Sequence, residues 1–330
     1  MTVLRHSYLF PIFLCSCILP RRMNAQYYFM WQQLLVDLQN GDPRALARSI
    51  SLVENGHEGY EELMQSLPSQ SAAKITGITG PPGAGKSTLT DALIGQLVAA
   101  GKRVAVLCVD PSSPFNLGAV LGDRIRMSQW YTHPHVFIRS LATRGSMGGL
   151  HPRIIEITEL VKAAGYDHVI VETVGVGQSE VEIAGLADTT VVVVVPEAGD
   201  EVQTMKSGLM EIADIFVVNK SDRPDADIFV KNLRLMLAPA FQNHSYEVAV
   251  IKTVAHEGKG IEELSKKITE HQQRVVDREH YYWLLAEKAY YLIRERRMKD
   301  VDKGELLQRI KEEGELNLYR FIGRWVEGGR

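Results

Sequence analysis

Cysteine is scarce in this chain, with three residues (Cys15, Cys17 and Cys108) among 330. Their number and spacing exclude a disulfide framework and a cysteine-based metal site, and they fit a reducing compartment. An excess of basic charge is also lacking, since 37 Lys and Arg stand against 40 Asp and Glu for a net charge of −3. That balance argues against nucleic acid as a partner. With 45% hydrophobic and 23% charged residues, the composition is typical of a globular protein.

Long apolar runs are lacking too, and the run at 8–19 is too short for a comfortable membrane span. Because basic residues flank it, this run superficially resembles a signal peptide. Three interpretations of residues 1–24 stay open: a start assigned too early, with Met23 or Met30 the true one; an organellar transit segment; or an export signal. We leave 1–24 out of the fold prediction and expect no membrane partner.

The segment 26–67 is predicted to be helical, because its apolar residues recur at three- and four-residue spacing. The sequence Asn-Gly-Asp-Pro at 40–43 breaks the pattern and restarts it. We expect Asp42 to cap the second helix and Pro43 to lie in its first turn.

From residue 74 onward, short apolar runs alternate with helical segments, which predicts an α/β fold with a doubly wound, mostly parallel sheet. Several runs are almost continuous Val and Ile, as expected for strands covered on both faces. Ligands of such sheets bind at the carboxyl ends of the strands. The predicted strands are 74–79, 103–109, 136–140, 168–171, 189–195, 215–218 and 248–252.

After about residue 273 the chain is predicted to be helical and highly charged. Such a tail either packs on the parent domain or supplies a dimer surface. We therefore divide the chain into a leader (1–24), an N-terminal helical segment (25–70), a central α/β domain (71–274) and a C-terminal helical extension (275–330).

A glycine-rich stretch, "GPPGAGKST", follows the first predicted strand and precedes a helix. It matches the P-loop pattern G-x-x-x-x-G-K-[S/T] in the required context. Its backbone N–H groups can turn inward around phosphates, Lys86 adds a positive charge, and the Ser87 hydroxyl can ligate Mg²⁺. The nucleotide-binding candidates are Gly80, Pro81, Pro82, Gly83, Ala84, Gly85, Lys86, Ser87 and Thr88.

The base of the nucleotide is predicted by Asn219, Lys220 and Asp222, which form N-K-S-D at the end of a later strand. A carboxylate there can accept hydrogen bonds from both the imino N–H and the exocyclic amine of guanine, and adenine has no such pair of donors. Leaving that carboxylate desolvated and unpaired would be costly, so the motif favours GTP and GDP over ATP.

Three carboxylates follow strands on the same predicted sheet edge. Glu172 ends an apolar strand just before Val-Gly, and we expect it to reach Mg²⁺ through water. Asp110 follows the second strand as a candidate metal ligand or water-positioning base, and Asp123 lies 13 residues farther on. Catalytic candidates are thus Lys86, Asp110, Asp123 and Glu172, and metal candidates are Ser87, Asp110 and Glu172.

Taken together, these stretches resemble the MeaB/ArgK family of P-loop GTPases, within the SIMIBI class. Members of this family serve adenosylcobalamin-dependent acyl-CoA mutases such as methylmalonyl-CoA mutase. The resemblance covers residues from about 40 to 275. The matching stretches are "GDPRALARSISLVEN" (41–55), "GITGPPGAGKSTL" (77–89), "VDPSSPF" (109–115), "LGDRIRM" (121–127), "ATRGSMGG" (142–149), "ETVGVGQSE" (172–180), "PEAGDEVQTMKSGLMEIADIFVVNKSD" (196–222) and "KTVA" (252–255).

The resemblance implies GTP hydrolysis, with Mg²⁺, coupled to loading, protection or reactivation of a cobalamin mutase. It also implies a homodimer built partly from the C-terminal helices. Asp110 and Asp123 correspond to the first switch region and Glu172 to the second. The stretch with Asp200, Gln203 and Lys206 corresponds to a third segment that relays the nucleotide state to the mutase. The "KTVA" match adds Thr253, Val254 and Ala255 to the nucleotide-binding residues.

Some positions depart from the family pattern. Asn116 and Leu117 stand where small residues are expected, and His151-Pro152 follow where the pattern runs on as helix. Val176 occupies the place where fast GTPases often carry a water-orienting Gln, so we expect slow intrinsic hydrolysis, unless the nearby Gln178 substitutes.

Three other functions remain as alternatives. A nickel- or other metal-insertion GTPase needs soft or imidazole ligands, which the scattered histidines and isolated Cys108 do not supply. A P-loop small-molecule kinase is disfavoured by N-K-S-D. A module that holds GTP without turnover would be distinguished by single-turnover hydrolysis. A nucleotide-binding protein would meet no triphosphate outside the cell, so we expect the cytoplasm, or the mitochondrial matrix if 1–24 are a transit peptide.

Overall fold

The computed structural model describes residues 25–68, 71–110, 127–143, 150–173, 183–196, 209–241, 248–274, 278–298, 301–314 and 317–326. Within them, seven parallel strands form one sheet in the order β3-β2-β4-β1-β5-β6-β7. All seven predicted strands are confirmed, with ends that differ by at most two residues. The strands are β1 Lys74–Thr79, β2 Val104–Asp110, β3 Val136–Ala142, β4 His168–Glu172, β5 Thr189–Val194, β6 Ile215–Val218 and β7 Ala249–Lys252.

Helices precede, alternate with and follow the strands, so the predicted doubly wound α/β class is confirmed. Short 3₁₀ turns lie at Ser128–Trp130, Ile183–Gly185 and Ala255–Glu257. The helices of the described residues are α1 Ala25–Gln39, α2 Pro43–Glu54, α3 Tyr60–Ser66, α4 Lys86–Ala99, α5 Ile154–Ala163, α6 Leu209–Ile212, α7 Ala226–Phe241, α8 Ile261–Arg274, α9 Arg278–Arg297, α10 Lys303–Glu313 and α11 Leu318–Val326.

Strand β2 shows why these strands are apolar along their whole length. Ala105, Leu107 and Val109 join a core on one face of the sheet with residues of α1, α2 and α5. The alternate residues, Val104 and Val106 among them, join a second core with residues of α4 and α8 on the opposite face. Since successive side chains of a strand point to opposite faces, a sheet covered on both sides needs apolar residues at every position.

Helix α1 ends and helix α2 begins at the break that the sequence predicts. Asp42 is the N-cap of α2, where its Oδ1 accepts a hydrogen bond of 2.8 Å from the backbone N–H of Arg44, and Pro43 is the first helical residue. These helices share one apolar core with the sheet face, including the buried Trp31 and Leu46. The segment is therefore part of the packed body in this structure.

A polar contact also joins α2 to the edge strand β3. Glu54 at the end of α2 pairs with Arg139 of β3 at 2.5 Å, and the Nε2 atom of His151 lies 3.7 Å from the other oxygen of Glu54. His151 is 2% exposed, so this imidazole lies inside the packed body. The helix α5 starts only at Ile154, after a turn at residues 152 and 153.

Among the residues described, none of the helices combines the length and the apolar character needed to span a bilayer.

Because the N-terminal helices share a core with the sheet, replacing valine by alanine should have unequal effects on stability at a buried and at an exposed position of these helices. Val53 is fully buried, whereas the side chain of Val36 is 50% exposed. We expect Val53→Ala to lower the free energy of unfolding by about 2–3 kcal/mol, because two buried methyl groups are lost and a cavity is left. Val36→Ala, the matched control, should change it by less than about 0.5 kcal/mol. Urea denaturation followed by circular dichroism measures both, and equal effects would contradict the shared core.

Candidate nucleotide-binding site

The loop at 80–85 connects the central strand β1 to helix α4, at the carboxyl edge of the sheet. Its glycines are required by backbone conformation and by close contacts. Gly80 and Gly85 have φ values of 136° and 87°, which L side chains rarely adopt. A Cβ on Gly80 would overlap the carbonyl oxygen of Val193, and one on Gly85 would overlap the side-chain nitrogen of Asn219. The chain can therefore wrap this tightly only with glycine at both places.

Lys86 and Ser87 begin α4 and are buried, with exposed fractions of 7% and 5%. The Nζ atom of Lys86 donates hydrogen bonds to the carbonyl oxygens of Gly80 (2.9 Å) and Pro81 (3.1 Å), so the ammonium group lies within the curve of the loop. The N-terminus of a helix presents backbone N–H groups and a partial positive charge. Loop, ammonium group and helix terminus together form a site for an anion such as a phosphate chain.

The Glu172 carboxylate at the end of β4 is held by two hydroxyl groups of α4. The Ser87 Oγ atom donates to its Oε1 atom at 2.6 Å, and the Thr90 Oγ1 atom donates to its Oε2 atom at 2.9 Å. Glu172 is 3% exposed. The carboxyl group is thus held beside the phosphate loop and oriented from two sides.

Asp110, the last residue of β2, lies on the neighbouring strand and is 3% exposed. Because Cys108 pairs with Glu172 in the parallel register of β2 and β4, the two carboxylates end adjacent strands at the same sheet edge. Carboxylate and hydroxyl oxygens are the ligands that Mg²⁺ prefers. The donor set of Ser87, Asp110 and Glu172 therefore fits this ion.

Asn219 connects three parts of the sheet edge. Its Nδ2 atom donates to the carbonyl oxygen of Ala84 at 2.9 Å, within the phosphate loop. Its Oδ1 atom accepts from the hydroxyl of Thr253 at 3.0 Å and from the backbone N–H of Ala255 at 3.2 Å. Asn219 is 2% exposed. One amide thereby links the loop after β1 to the residues after β7, and we call this arrangement the Asn219 link.

Lys220 and Asp222 extend the same region toward solvent. The Lys220 Nζ atom donates to the carbonyl oxygen of Gly83 at 2.8 Å, and its φ of 54° turns the chain sharply after β6. Asp222 is exposed. The pKa of Lys259 is raised, first by its hydrogen bond to Glu257 and less strongly by the charge of Asp222.

The structure brings the described candidates together at one edge of the sheet. The phosphate-loop residues 80–88, the metal candidates and the base-recognition residues all lie at or just beyond the carboxyl ends of strands. Thr253, Val254 and Ala255 are buried, and two of them hold Asn219. Asp123, Val176, Gln178, Asp200, Gln203 and Lys206 lie outside the described residues, so their roles remain predictions.

Sequence reasoning missed Thr90 and a pair of threonine hydroxyls behind the loop. Thr90 could have been found, because it lies three residues after Ser87 on the same face of a helix. The hydroxyl of Thr173 donates to that of Thr79 at 2.9 Å across β4 and β1.

Within the described ranges, no group of three or more His, Cys, Asp and Glu side chains is arranged to hold a metal ion.

Comparison with known proteins shows which families, relatives and structures this chain resembles. A sequence model described as "Methylmalonyl Co-A mutase-associated GTPase MeaB" matches residues 46–311. A Pyrococcus horikoshii protein named "Putative GTPase" is 50% identical over 245 residues, which are 73% of this chain and 77% of the relative. The mitochondrial methylmalonic aciduria type A homolog of Caenorhabditis briggsae is 40% identical over 207 residues, which are 58% of this chain and 50% of that protein.

A solved structure agrees with the fold. The crystal structure titled LAO/AO transport system kinase superposes with a TM-score of 0.62 at 27% identity, covering 93% of this chain and all of the other.

The Asn219 link predicts a loss of nucleotide affinity when the amide is removed. In Asn219→Ala, the Ala84 carbonyl and the Thr253 hydroxyl lose a buried partner, which costs about 1–3 kcal/mol for each such group. We expect the affinity for GDP, measured by isothermal titration calorimetry, to fall at least about 10-fold. The control is Asn40→Ala in the exposed turn before α2, which should bind GDP as the unchanged protein does. Equal affinity of Asn219→Ala and the control would contradict this role.

Proposed function

The chain belongs to the MeaB family of methylmalonyl-CoA mutase-associated GTPases, and we propose that its GTP hydrolysis drives a chaperone cycle for an adenosylcobalamin-dependent acyl-CoA mutase. It is a P-loop GTPase that binds guanine nucleotides. The cycle would couple hydrolysis to loading, protection or reactivation of the mutase cofactor. The observation that carries the proposal is the family match over residues 46–311.

The nucleotide would lie along the carboxyl edge of the sheet. Backbone N–H groups of residues 80–88 would surround the phosphates, with Lys86 beside the β and γ positions. Asp222 lies just beyond β6 and is exposed, so its carboxylate can contact a base from the solvent side. Asn219 and Lys220 support that position, because both donate to carbonyl oxygens of the phosphate loop. Thr253, Val254 and Ala255 would complete the base pocket.

Ser87, Asp110 and Glu172 would hold Mg²⁺, which when bound neutralises charge that develops on the phosphates. The hydroxyl of Ser87 can donate its hydrogen to Glu172, as it does here at 2.6 Å, and present its lone pairs to a cation. As the alternative to holding the ion, Asp110 would position the attacking water, and Asp123, which the family resemblance assigns to the first switch region, would lie near the ion. We propose slow intrinsic hydrolysis, because Val176 cannot orient water.

Methylmalonyl-CoA mutase is the partner that we propose first. The family description names this enzyme, and the name of the Caenorhabditis briggsae relative refers to methylmalonic aciduria. Asp200, Gln203 and Lys206 would relay the nucleotide state to the mutase, as the family resemblance implies.

A homodimer through the C-terminal helices is the assembly that we propose. Large apolar side chains are exposed along α9 and α11, and a second copy could cover them. These exposed residues include Leu285, Tyr290, Ile293, Leu318, Tyr319 and Ile322. We propose the cytoplasm as the compartment, or the mitochondrial matrix if residues 1–24 are a transit peptide, as the mitochondrial relative suggests.

The base-recognition proposal is tested by changing one carboxylate to an amide. Asp222→Asn replaces an acceptor of two guanine hydrogen bonds by a group that can donate to the 2-oxo group of xanthine. We expect GDP affinity to fall about 100-fold and XDP affinity to rise, as measured by calorimetry. Asp225→Asn is the matched control, because Asp225 is exposed three residues away and Asn tolerates its φ of 65°. Retention of the guanine preference by Asp222→Asn would place the base elsewhere.

The chaperone proposal is tested with purified methylmalonyl-CoA mutase. The immobilised full chain should retain the mutase to different extents with GDP and with a non-hydrolysable GTP analogue, and the mutase should accelerate single-turnover GTP hydrolysis. Lys86→Ala should abolish both effects because phosphate binding is lost, and the exposed Lys102→Ala should preserve them. Absence of retention and of acceleration in the unchanged protein would refute a role with this mutase and leave the GTPase assignment intact.

A further inference from the structure

We propose that Thr90 is a positioning residue, whose hydroxyl fixes the Glu172 carboxylate in the orientation that the Mg²⁺ site requires. The inference rests on the proposed Mg²⁺-dependent function and assigns a role to a residue outside the P-loop motif. Thr90 is fully buried and lies on α4, and its Oγ1 atom is 2.9 Å from the Oε2 atom of Glu172.

The geometry follows from helical spacing. Residues three apart on a helix lie on the same face, so the hydroxyls of Ser87 and Thr90 both point toward the end of β4. Each contacts a different oxygen of Glu172, Ser87 at 2.6 Å and Thr90 at 2.9 Å. A carboxylate held at both oxygens cannot rotate about its last torsion angle, which is otherwise a broad, weakly restricted rotation.

Thr90 has two acceptors within reach for one hydroxyl hydrogen. Its Oγ1 atom also lies 3.0 Å from the carbonyl oxygen of Lys86, one turn earlier in the helix. A hydrogen bond to an ionised carboxylate is roughly twice as strong as one to a neutral carbonyl, so the hydrogen belongs to Glu172 when that group is charged. If the carboxylate is removed, the Thr90 hydroxyl can donate its hydrogen to the carbonyl oxygen of Lys86 instead.

The consequence concerns Ser87. While Thr90 holds the Oε2 atom, the Oε1 atom stays directed at the Ser87 hydroxyl and takes its single hydrogen. A hydroxyl that donates in this way offers its oxygen lone pairs as acceptors to a cation. Loss of the Thr90 hydroxyl would let the carboxylate rotate and would leave a buried oxygen without this donor. Residues that orient metal ligands in this manner typically change metal affinity about 10- to 100-fold when they are mutated.

The test measures Mg²⁺ binding separately from catalysis. A fluorescent GDP analogue is bound to the full-length protein, and its dissociation rate is recorded as a function of Mg²⁺ concentration and in excess EDTA. Thr90→Val preserves shape and removes the hydroxyl, and Thr90→Ser restores a hydroxyl. Thr158→Val is the matched control, because Thr158 is equally buried in α5 and its hydroxyl donates only to the carbonyl of Ile155, at 2.8 Å.

We expect Thr90→Val to raise the Mg²⁺ concentration that half-maximally slows GDP release by about 10-fold or more, with an unchanged dissociation rate in EDTA. Thr90→Ser should restore most of the Mg²⁺ dependence, and Thr158→Val should match the unchanged protein. If the Thr90 hydroxyl had only a structural role, Thr90→Val and Thr158→Val would have similar effects. Both variants would then change the GDP dissociation rate in EDTA, or the melting temperature, by similar amounts. An unchanged half-maximal concentration in Thr90→Val overturns the inference. A wild-type release rate that does not respond to Mg²⁺ refutes the proposed Mg²⁺ function itself.

Discussion

The carboxyl edge of this sheet is organised by the Asn219 amide, which donates to one loop and accepts from another. Its nitrogen contacts the phosphate loop at Ala84, and its oxygen contacts the residues after β7 at Thr253 and Ala255. Because these contacts are buried, breaking one leaves a polar group without water or partner. One side chain therefore joins the phosphate loop to the residues that follow β7, and Lys220 adds a separate contact to the phosphate loop at Gly83.

A second group of buried polar contacts surrounds Glu172, where the phosphate loop continues into helix α4. A carboxylate in an apolar setting is costly unless hydrogen-bonded, and here the first turns of α4 supply both donors. Helix α4 thus has three roles: its N-terminus faces the proposed phosphates, its hydroxyls orient a carboxylate, and its apolar face packs in the core with α8. These roles are compatible because they use different faces of one helix.

Much of the fold could be predicted from sequence, because its causes are local. Continuous Val and Ile runs such as β5 identify strands covered on both faces, and the Asp42–Pro43 pair identifies a helix start. The phosphate loop is equally local, since eight adjacent residues carry its geometry. The ends of strands are predicted less accurately than the strands themselves, because the last residues of β2 and β3 are in strands only through their pairing with each other.

The parts that sequence reasoning did not reach depend on distances between segments far apart in the chain. The Thr90–Glu172 contact joins residues 82 positions apart, and the Asn219–Ala84 contact joins residues 135 apart. The motif at Asn219 predicts base recognition, which stays a prediction, and it gives no sign that the amide contacts Ala84 and Thr253. Likewise, the change from a helical to an alternating pattern near residue 70 does not indicate which residues pack together, and only tertiary packing shows that Trp31 and Val171 share a core.

The Asn219 side chain must both donate and accept hydrogen bonds, and this requirement places a chemically labile amide at the centre of the sheet edge. Asparagine is among the thermally labile side chains, and loss of its amide nitrogen yields aspartate. Aspartate at this position would set an acceptor against the Ala84 carbonyl, and a shorter side chain such as serine would not span both loops. The amide is also 2% exposed, so a thermally labile side chain is kept here where water has little access to it.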